Sequence, residues 1–269
     1  MIKVGHELSD LEIEQRYSAL AGALRLPNYF YPAVAKFAEA HRAQHVLDIG
    51  CGDGELLEEL SMRAPAAAYV GIDISAGRAR LAHARLGTHA AILQIGSGTL
   101  PFAAGSFDLV LVTEVIEHLK NPKHLLDEVY RILAPLGRLI LTTPNSDAYP
   151  LWSRFAWLAE RSGRPTPLLH FLPFEHPLKT RQPIDTVLSF GEVRSILEAS
   201  NFVPHRVLGR EALPFLFALP GVRGLADRGR ISRSFVDWAF NWLGLVSCGY
   251  RIFWDCVKKR DGFVAAAST

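Results

Sequence analysis

Three glycines at alternate positions, Gly50, Gly52 and Gly54, follow the short apolar run Val46-Leu47-Asp48-Ile49. A helix pattern starts at once, Glu55 to about Met62, with Leu56, Leu57 and Leu60 on one side. The segment therefore reads as strand, tight loop and helix. Glycine admits backbone conformations and close approaches that a Cβ forbids. A ligand can lie almost on the main chain there, facing the amides of a helix N-terminus.

The next strand, Ala68 to Ile74, ends in Asp73, 19 residues after Gly54. An acid at the end of the second strand of a doubly wound sheet can accept hydrogen bonds from ribose hydroxyls. Glu55 stands where a dinucleotide loop needs a third glycine or an alanine. Asp48 and Asp53 would repel a diphosphate, yet they suit the ammonium and sulfonium charges of S-adenosylmethionine.

The segments Val46–Leu56, Tyr69–Ser75, Leu100-Pro101-Phe102, Phe107–Leu119 and Gly137–Asn145 together resemble the class I S-adenosylmethionine-dependent methyltransferases. The nearest likeness is to the small-molecule branch that includes ubiquinone-type O-methyltransferases. It covers residues 30–145 well, and 186–208 and 248–259 loosely. It implies an α/β fold: a Rossmann-like, doubly wound, seven-stranded, mostly parallel sheet with an antiparallel last strand. The implied cofactor is S-adenosylmethionine, with S-adenosylhomocysteine as product. By position, Asp73 would hold the ribose, and Gly50, Gly52 and Gly54 the methionine end. Asp48 and the main chain around Glu114 would face the amino-acid end, and Ile74 and Ser97 complete the cofactor set. The chain departs from the family at Gly96, where relatives carry an aspartate for the adenine amino group. The hydroxyls of Ser97 and Thr99, or the main chain, are the available substitutes.

The 269 residues read as one domain. Residues 1–45 form an N-terminal helical cap, two helices within 7–43 broken at Leu26-Pro27-Asn28. Residues 46–145 are the cofactor-binding core. Gly77 to Leu86 reads as a helix N-capped by Ser75, with Arg78, Arg80 and Arg85 on a solvated face. Phe107 to Val112 is almost continuously apolar, as a parallel strand buried on both faces should be. A helix opens at Asn121-Pro122 and carries apolar residues as far as Leu133; a strand follows from Arg138 to Thr143. Residues 146–185, with six prolines and no regular pattern, and 210–247 read as two insertions that lid the site. A helix from Ser189 through Ser200, a strand near Pro204–Leu208 and a last strand over 249–257 complete the sheet.

Ligands of open α/β sheets bind beyond the carboxyl ends of the strands. Thr113-Glu114-Val115-Ile116-Glu117-His118 therefore points into the site. His118 is the first candidate for general base, since an unperturbed imidazole titrates near pH ~6.5. The alternative is that Glu117-His118 only organises the loop. His176, in Phe174-Glu175-His176-Pro177, is the second candidate. Glu114, Glu117 and His118 also match the Glu-x-x-Glu-His spacing with which some relatives hold a divalent ion. His176 would complete such a set, and carboxylates with imidazoles suit Mg or Zn-like ions.

The net charge of +2 implies no field for nucleic acid. Three cysteines without metal spacing fit a reducing, cytoplasmic setting. Met1–Asp10 has no apolar core of the signal-peptide kind, and no apolar run is long enough to span a bilayer. The fifth strand ends in Thr-Pro-Asn, not in the Asn/Asp-Pro-Pro-Tyr/Phe typical of enzymes that methylate amino groups. The expectation is O-methylation of a small-molecule, lipid-like or glycan acceptor. Two alternatives stay open. One is an enzyme held peripherally at a membrane, because Leu213–Leu219 and Phe235–Val246 flank Arg223, Arg228, Arg230 and Arg233. A buried lid or a homo-oligomer contact explains the same apolar face. The other is a non-catalytic S-adenosylmethionine-binding protein.

Overall fold

The computed structural model describes residues 3–4, 8–19, 31–65, 67–96, 98–148, 185–186, 188–210, 238–239 and 241–259. Nine strands and six helices are labelled in chain order. They are β1 (Lys3–Val4), α1 (Asp10–Ala19), α2 (Tyr31–Ala40), β2 (His45–Ile49), α3 (Glu55–Arg63), β3 (Ala68–Asp73), α4 (Ala76–Leu86) and β4 (Ala91–Gln94). Then come β5 (Phe107–Thr113), α5 (Pro122–Ile132), β6 (Leu133–Pro144), β7 (Asp185–Thr186), α6 (Phe190–Ala199), β8 (Phe202–Arg210) and β9 (Arg251–Lys258).

Seven strands form one sheet in the order β4-β3-β2-β5-β6-β9-β8. β2 pairs in parallel with β3 on one side and β5 on the other, Leu47 opposite both Val70 and Val110. β9 runs antiparallel between β6 and β8. The doubly wound, mostly parallel sheet with an antiparallel last strand is thus as expected. The chain winds from β2 outward to β4, then restarts at β5 on the far side of β2. That reversal opens a crevice at the carboxyl ends of β2 and β5.

Alternation along each strand decides what lies on each face. Leu47, Val110, Leu139 and Leu141 point to the face that also packs Leu126 of α5 and Leu197 of α6. Val46, Leu109, Leu111, Ile140 and Phe253 point to the other, with Val34 of α2 and Leu57 of α3. β5 is buried almost throughout, which explains its continuous apolar run.

Helix ends follow the local chemistry. Ser75 accepts from the Arg78 amide at 3.2 Å and Asn121 from the His124 amide at 3.2 Å. Ser189 and Glu192 form a reciprocal capping box.

Some boundaries differ from the sequence expectation. β6 begins at Leu133, not Arg138: Leu133 pairs with Phe107, then the ladder resumes at Leu109 and Arg138. Residues 134–137 leave the ladder, with exposed Leu136 at φ 101°. β8 is longer than expected, because both its ends pair with β9. β1 and β7 form an unexpected two-stranded antiparallel ribbon. The break at Leu26-Pro27-Asn28 and most of both insertions, 149–184 and 211–237, lie outside the described residues. Among the described residues no helix is long and apolar enough to cross a membrane.

Candidate active site

Gly50, Gly52 and Gly54 all adopt positive φ, 73°, 57° and 83°. At two of them the space is closed as well. A Cβ on Gly50 would lie 2.5 Å from Val115 Cγ2, and one on Gly54 would lie 2.9 Å from Leu86 Cδ1. The loop is also held from outside. The Gly50 and Cys51 amides both donate to the Ile72 carbonyl, at 2.8 and 3.0 Å. Arg85 of α4 is not a plain solvated residue. Its Nε donates to the Asp53 carbonyl at 2.8 Å and its Nη1 to Glu58 Oε2 at 2.9 Å. Its Nη2 lies 3.5 Å from the Asp53 carboxylate. It clamps the loop to the helix that follows β3.

Asp73, at the end of β3, faces this loop. Its Oδ2 accepts from the Gly52 amide at 2.9 Å and its Oδ1 from the Ser75 amide at 2.8 Å. Burial pushes its carboxyl above the usual range, while these two amides and the Arg78 charge pull back. Each carboxylate oxygen can accept a second bond, so the group fastens the loop and still has capacity for a ligand hydroxyl.

Asp48 shares the α2 face of β2 with Val46. It is 1% exposed, and its Oδ1 has no hydrogen-bond partner among the described residues. Burial first, then the Asp73 charge, pushes its carboxyl well above the ordinary range. Tyr31, at the start of α2, senses the same group. Its phenol is pushed up by burial and then by Asp48, Glu55, Asp53 and Glu114. A buried carboxylate without a partner is costly, and a cationic ligand group relieves that cost.

Glu114 leaves β5 in a left-handed conformation, φ 54°. Its Oε1 accepts from Thr142 Oγ1 at 3.0 Å, and its Oε2 from Arg251 Nε at 2.9 Å. Glu117, buried in the following 3-10 turn, accepts instead from Thr143 Oγ1 at 3.2 Å. Thr142 and Thr143 are neighbours on one strand, so they point to opposite faces of the sheet. The two glutamates are therefore drawn apart. His118 Nε2 lies 3.9 Å from Glu117 Oε1, and the imidazole meets Tyr17 edge-on, ring centres 6.1 Å apart. Glu114, Glu117 and His118 are thus not gathered as a ligand set among the described residues, and His176, the fourth candidate, lies outside them. Among the described residues no group of three or more His, Cys, Asp or Glu side chains is arranged to hold a metal.

Residues 47–141 match the family model described as a methyltransferase domain. The chain carries a class I S-adenosylmethionine-dependent methyltransferase domain. A probable S-adenosylmethionine-dependent methyltransferase of Mycolicibacterium smegmatis is 29% identical over 176 residues, which cover 63% of this chain and 57% of that relative. A ubiquinone biosynthesis O-methyltransferase of Psychrobacter cryohalolentis is 35% identical over 111 residues, 37% of this chain and 40% of that one. The match thus spans about half the length of these relatives. In fold, the chain is similar to Burkholderia thailandensis 1,6-didemethyltoxoflavin-N1-methyltransferase, with TM-score 0.58 and 13% identity. That match covers 94% of this chain and 92% of the other.

The residues present fit the methionine and ribose parts of the cofactor by their chemistry. The glycine loop is a cradle that a Cβ would fill, and Asp48 offers an unengaged buried oxygen to an ammonium. Asp73 stands across the loop and would have acceptor capacity left for ribose hydroxyls. Ile74 packs with Leu8, Ile13 and Tyr17, so α1 covers that side of the methyltransferase site. Gly96 is exposed, with open space where a Cβ would stand. Ser97 and His176 lie outside the described residues.

Sequence reasoning did not assign Arg251, Thr142 or Arg85 to the methyltransferase site. The one available signal for Arg251 is a charge inside the otherwise apolar Tyr250-Arg251-Ile252-Phe253-Trp254. Asn145 was read only as the end of a motif. It is buried, and its Nδ2 donates to the Ser247 and Gly249 carbonyls at 2.6 and 3.1 Å, fixing the approach to β9.

Proposed function

We propose that the protein is an S-adenosylmethionine-dependent methyltransferase acting on an oxygen of a small-molecule, lipid-like or glycan acceptor. The observation that carries the donor half is buried Asp48, whose Oδ1 has no hydrogen-bond partner among the described residues, two residues before a left-handed glycine loop at the topological switch point. The acceptor half is supported by relatives whose names include a ubiquinone biosynthesis O-methyltransferase and a malonyl-[acyl-carrier protein] O-methyltransferase. The Thr-Pro-Asn end of β6 points the same way.

When bound, the donor would supply an electrophilic methyl on a sulfonium, its C–S bond breaking as the acceptor oxygen bonds to the methyl carbon, with S-adenosylhomocysteine as the leaving group. Asp48 and Tyr31 would hold the ammonium end, the glycine loop would admit the methionine chain, and Asp73 would accept hydrogen bonds from the ribose hydroxyls. His118, at the exit of β5, takes the acceptor's hydroxyl proton. Glu117, at 3.9 Å, favours the imidazolium that results. His176 remains the second candidate base. Fixing donor and acceptor at near-attack distance supplies most of the remaining rate.

Calorimetric titration with S-adenosylhomocysteine tests the donor site, followed by a screen of phenols, quinols and lipid-linked sugars with labelled methyl donor. Absence of any binding sinks the reading.

A second reading is peripheral contact with a lipid surface. Trp238 and Trp242 stack, ring centres 6.4 Å apart, and are 58% and 73% exposed beside exposed Leu243 and Leu245. Tryptophan favours the boundary between apolar and aqueous phases. Co-sedimentation with anionic liposomes tests it, and a protein that stays in the supernatant removes it.

A further inference from the structure

We propose that Arg251 is a positioning residue that holds the Glu114 side chain for the cationic end of the donor. This rests on the cofactor reading above. Toward the cofactor the sequence assigns only the main chain around Glu114; the geometry brings in its carboxylate.

Glu114 is held at three points. Its amide donates to the Thr142 carbonyl at 3.0 Å, its Oε1 accepts from Thr142 Oγ1 at 3.0 Å, and its Oε2 accepts from Arg251 Nε at 2.9 Å. Two of these come from β6 and the third from β9. Arg251 is opposite Pro144 in the antiparallel register, and Thr142 is opposite Phe253. Arg251, Phe253, Thr142 and Pro144 therefore share the α2 face, the face that Asp48 also takes.

The ion pair is sheltered, with side chains 17% and 22% exposed. The Arg251 cation offsets the Glu114 charge at this contact, and its Nε–H meets the carboxylate from β9. Arg251 thereby sets both the direction and the net charge of the wall that receives the donor's ammonium. A left-handed, non-glycine backbone at a ligand site persists only where its surroundings over-determine it, and these three bonds do so.

A double-mutant cycle reads this directly. S-adenosylhomocysteine affinity is measured for the wild type, Arg251→Gln, Glu114→Gln and the double variant, with thermal unfolding in parallel. In the wild-type background Arg251→Gln should weaken binding about tenfold, and in the Glu114→Gln background less than about twofold. Arg251→Lys, which keeps the charge, should recover binding to within about threefold of wild type. Equal losses in both backgrounds, or no recovery with lysine, overturn the inference while leaving the cofactor reading intact. A wild type that binds no S-adenosylhomocysteine overturns both. If Arg251→Gln fails to fold, Thr142→Val, which releases the other Glu114 oxygen, must show the same coupling; additivity there also overturns it.

Discussion

The Gly52 amide donates to the Asp73 carboxylate at 2.9 Å across 21 residues of sequence. The acid meant for the ribose is thus also the fastener of the glycine loop. Asp73→Ala removes both roles. It should weaken S-adenosylhomocysteine binding by about 1.4 kcal/mol or more, roughly tenfold. Asp73→Asn keeps one acceptor oxygen and should fall between. Calorimetry with circular-dichroism melts separates ligand loss from loop loss, since the loop term also lowers the melting temperature without ligand.

Asp48 makes function costly to stability. Its folded-state carboxyl lies well above the usual range because of burial. The folded state then holds a proton that the unfolded state has lost above pH ~4. Stability is greatest below that pH and falls as pH rises through the folded value. Asp48→Asn removes this slope. Ligand-free Asp48→Asn should be about 1–3 kcal/mol more stable than wild type at pH 8, and should lose S-adenosylhomocysteine binding. Urea melts at pH 5 and pH 8 check the first part. A variant less stable than wild type at pH 8 would refute it.

Gly50 should tolerate no side chain. Gly50→Ala meets Val115 Cγ2 at 2.5 Å and keeps an alanine at φ 73°. Overpacking and backbone strain should together cost about 2–4 kcal/mol. Adding Val115→Ala relieves the overlap but not the strain, so the double variant should recover only part of the loss. Denaturant midpoints of the two variants measure both parts.

The parts of this site that sequence displays are those whose chemistry is local. Gly50 to Gly54 and Asp73 each end a strand, and the apolar run before each announces it. Arg85 looked solvated because its helix is basic, yet Asp53 and Glu58 close on it from another element. Arg251 and Glu114 are 137 residues apart, and they meet only because β9 inserts antiparallel beside β6. No local pattern carries that register. The Glu114–Glu117–His118 spacing is local too, yet it does not carry the side-chain directions: Glu114 turns to Thr142 and Glu117 to Thr143.

That separation makes the chelator experiment decisive. With the two glutamates on opposite faces, methyl transfer should keep its full rate after extensive dialysis against EDTA. A rate that collapses and returns with Mg or Zn would show that the glutamates regroup around an ion.

His118 tests the acceptor chemistry. If its imidazole takes the hydroxyl proton, His118→Gln should lower kcat by about 10²–10⁴-fold. S-adenosylhomocysteine affinity should stay within about twofold, because His118 stands toward Tyr17 and Glu117, not along the glycine loop. The sign with pH follows from the role. A general base works unprotonated, so wild-type kcat should fall as the medium is acidified, and that acid limb should vanish in the variant. A variant that loses cofactor affinity and rate together, with the acid limb unchanged, would assign His118 to the architecture of the turn after β5 and pass the base to the lid.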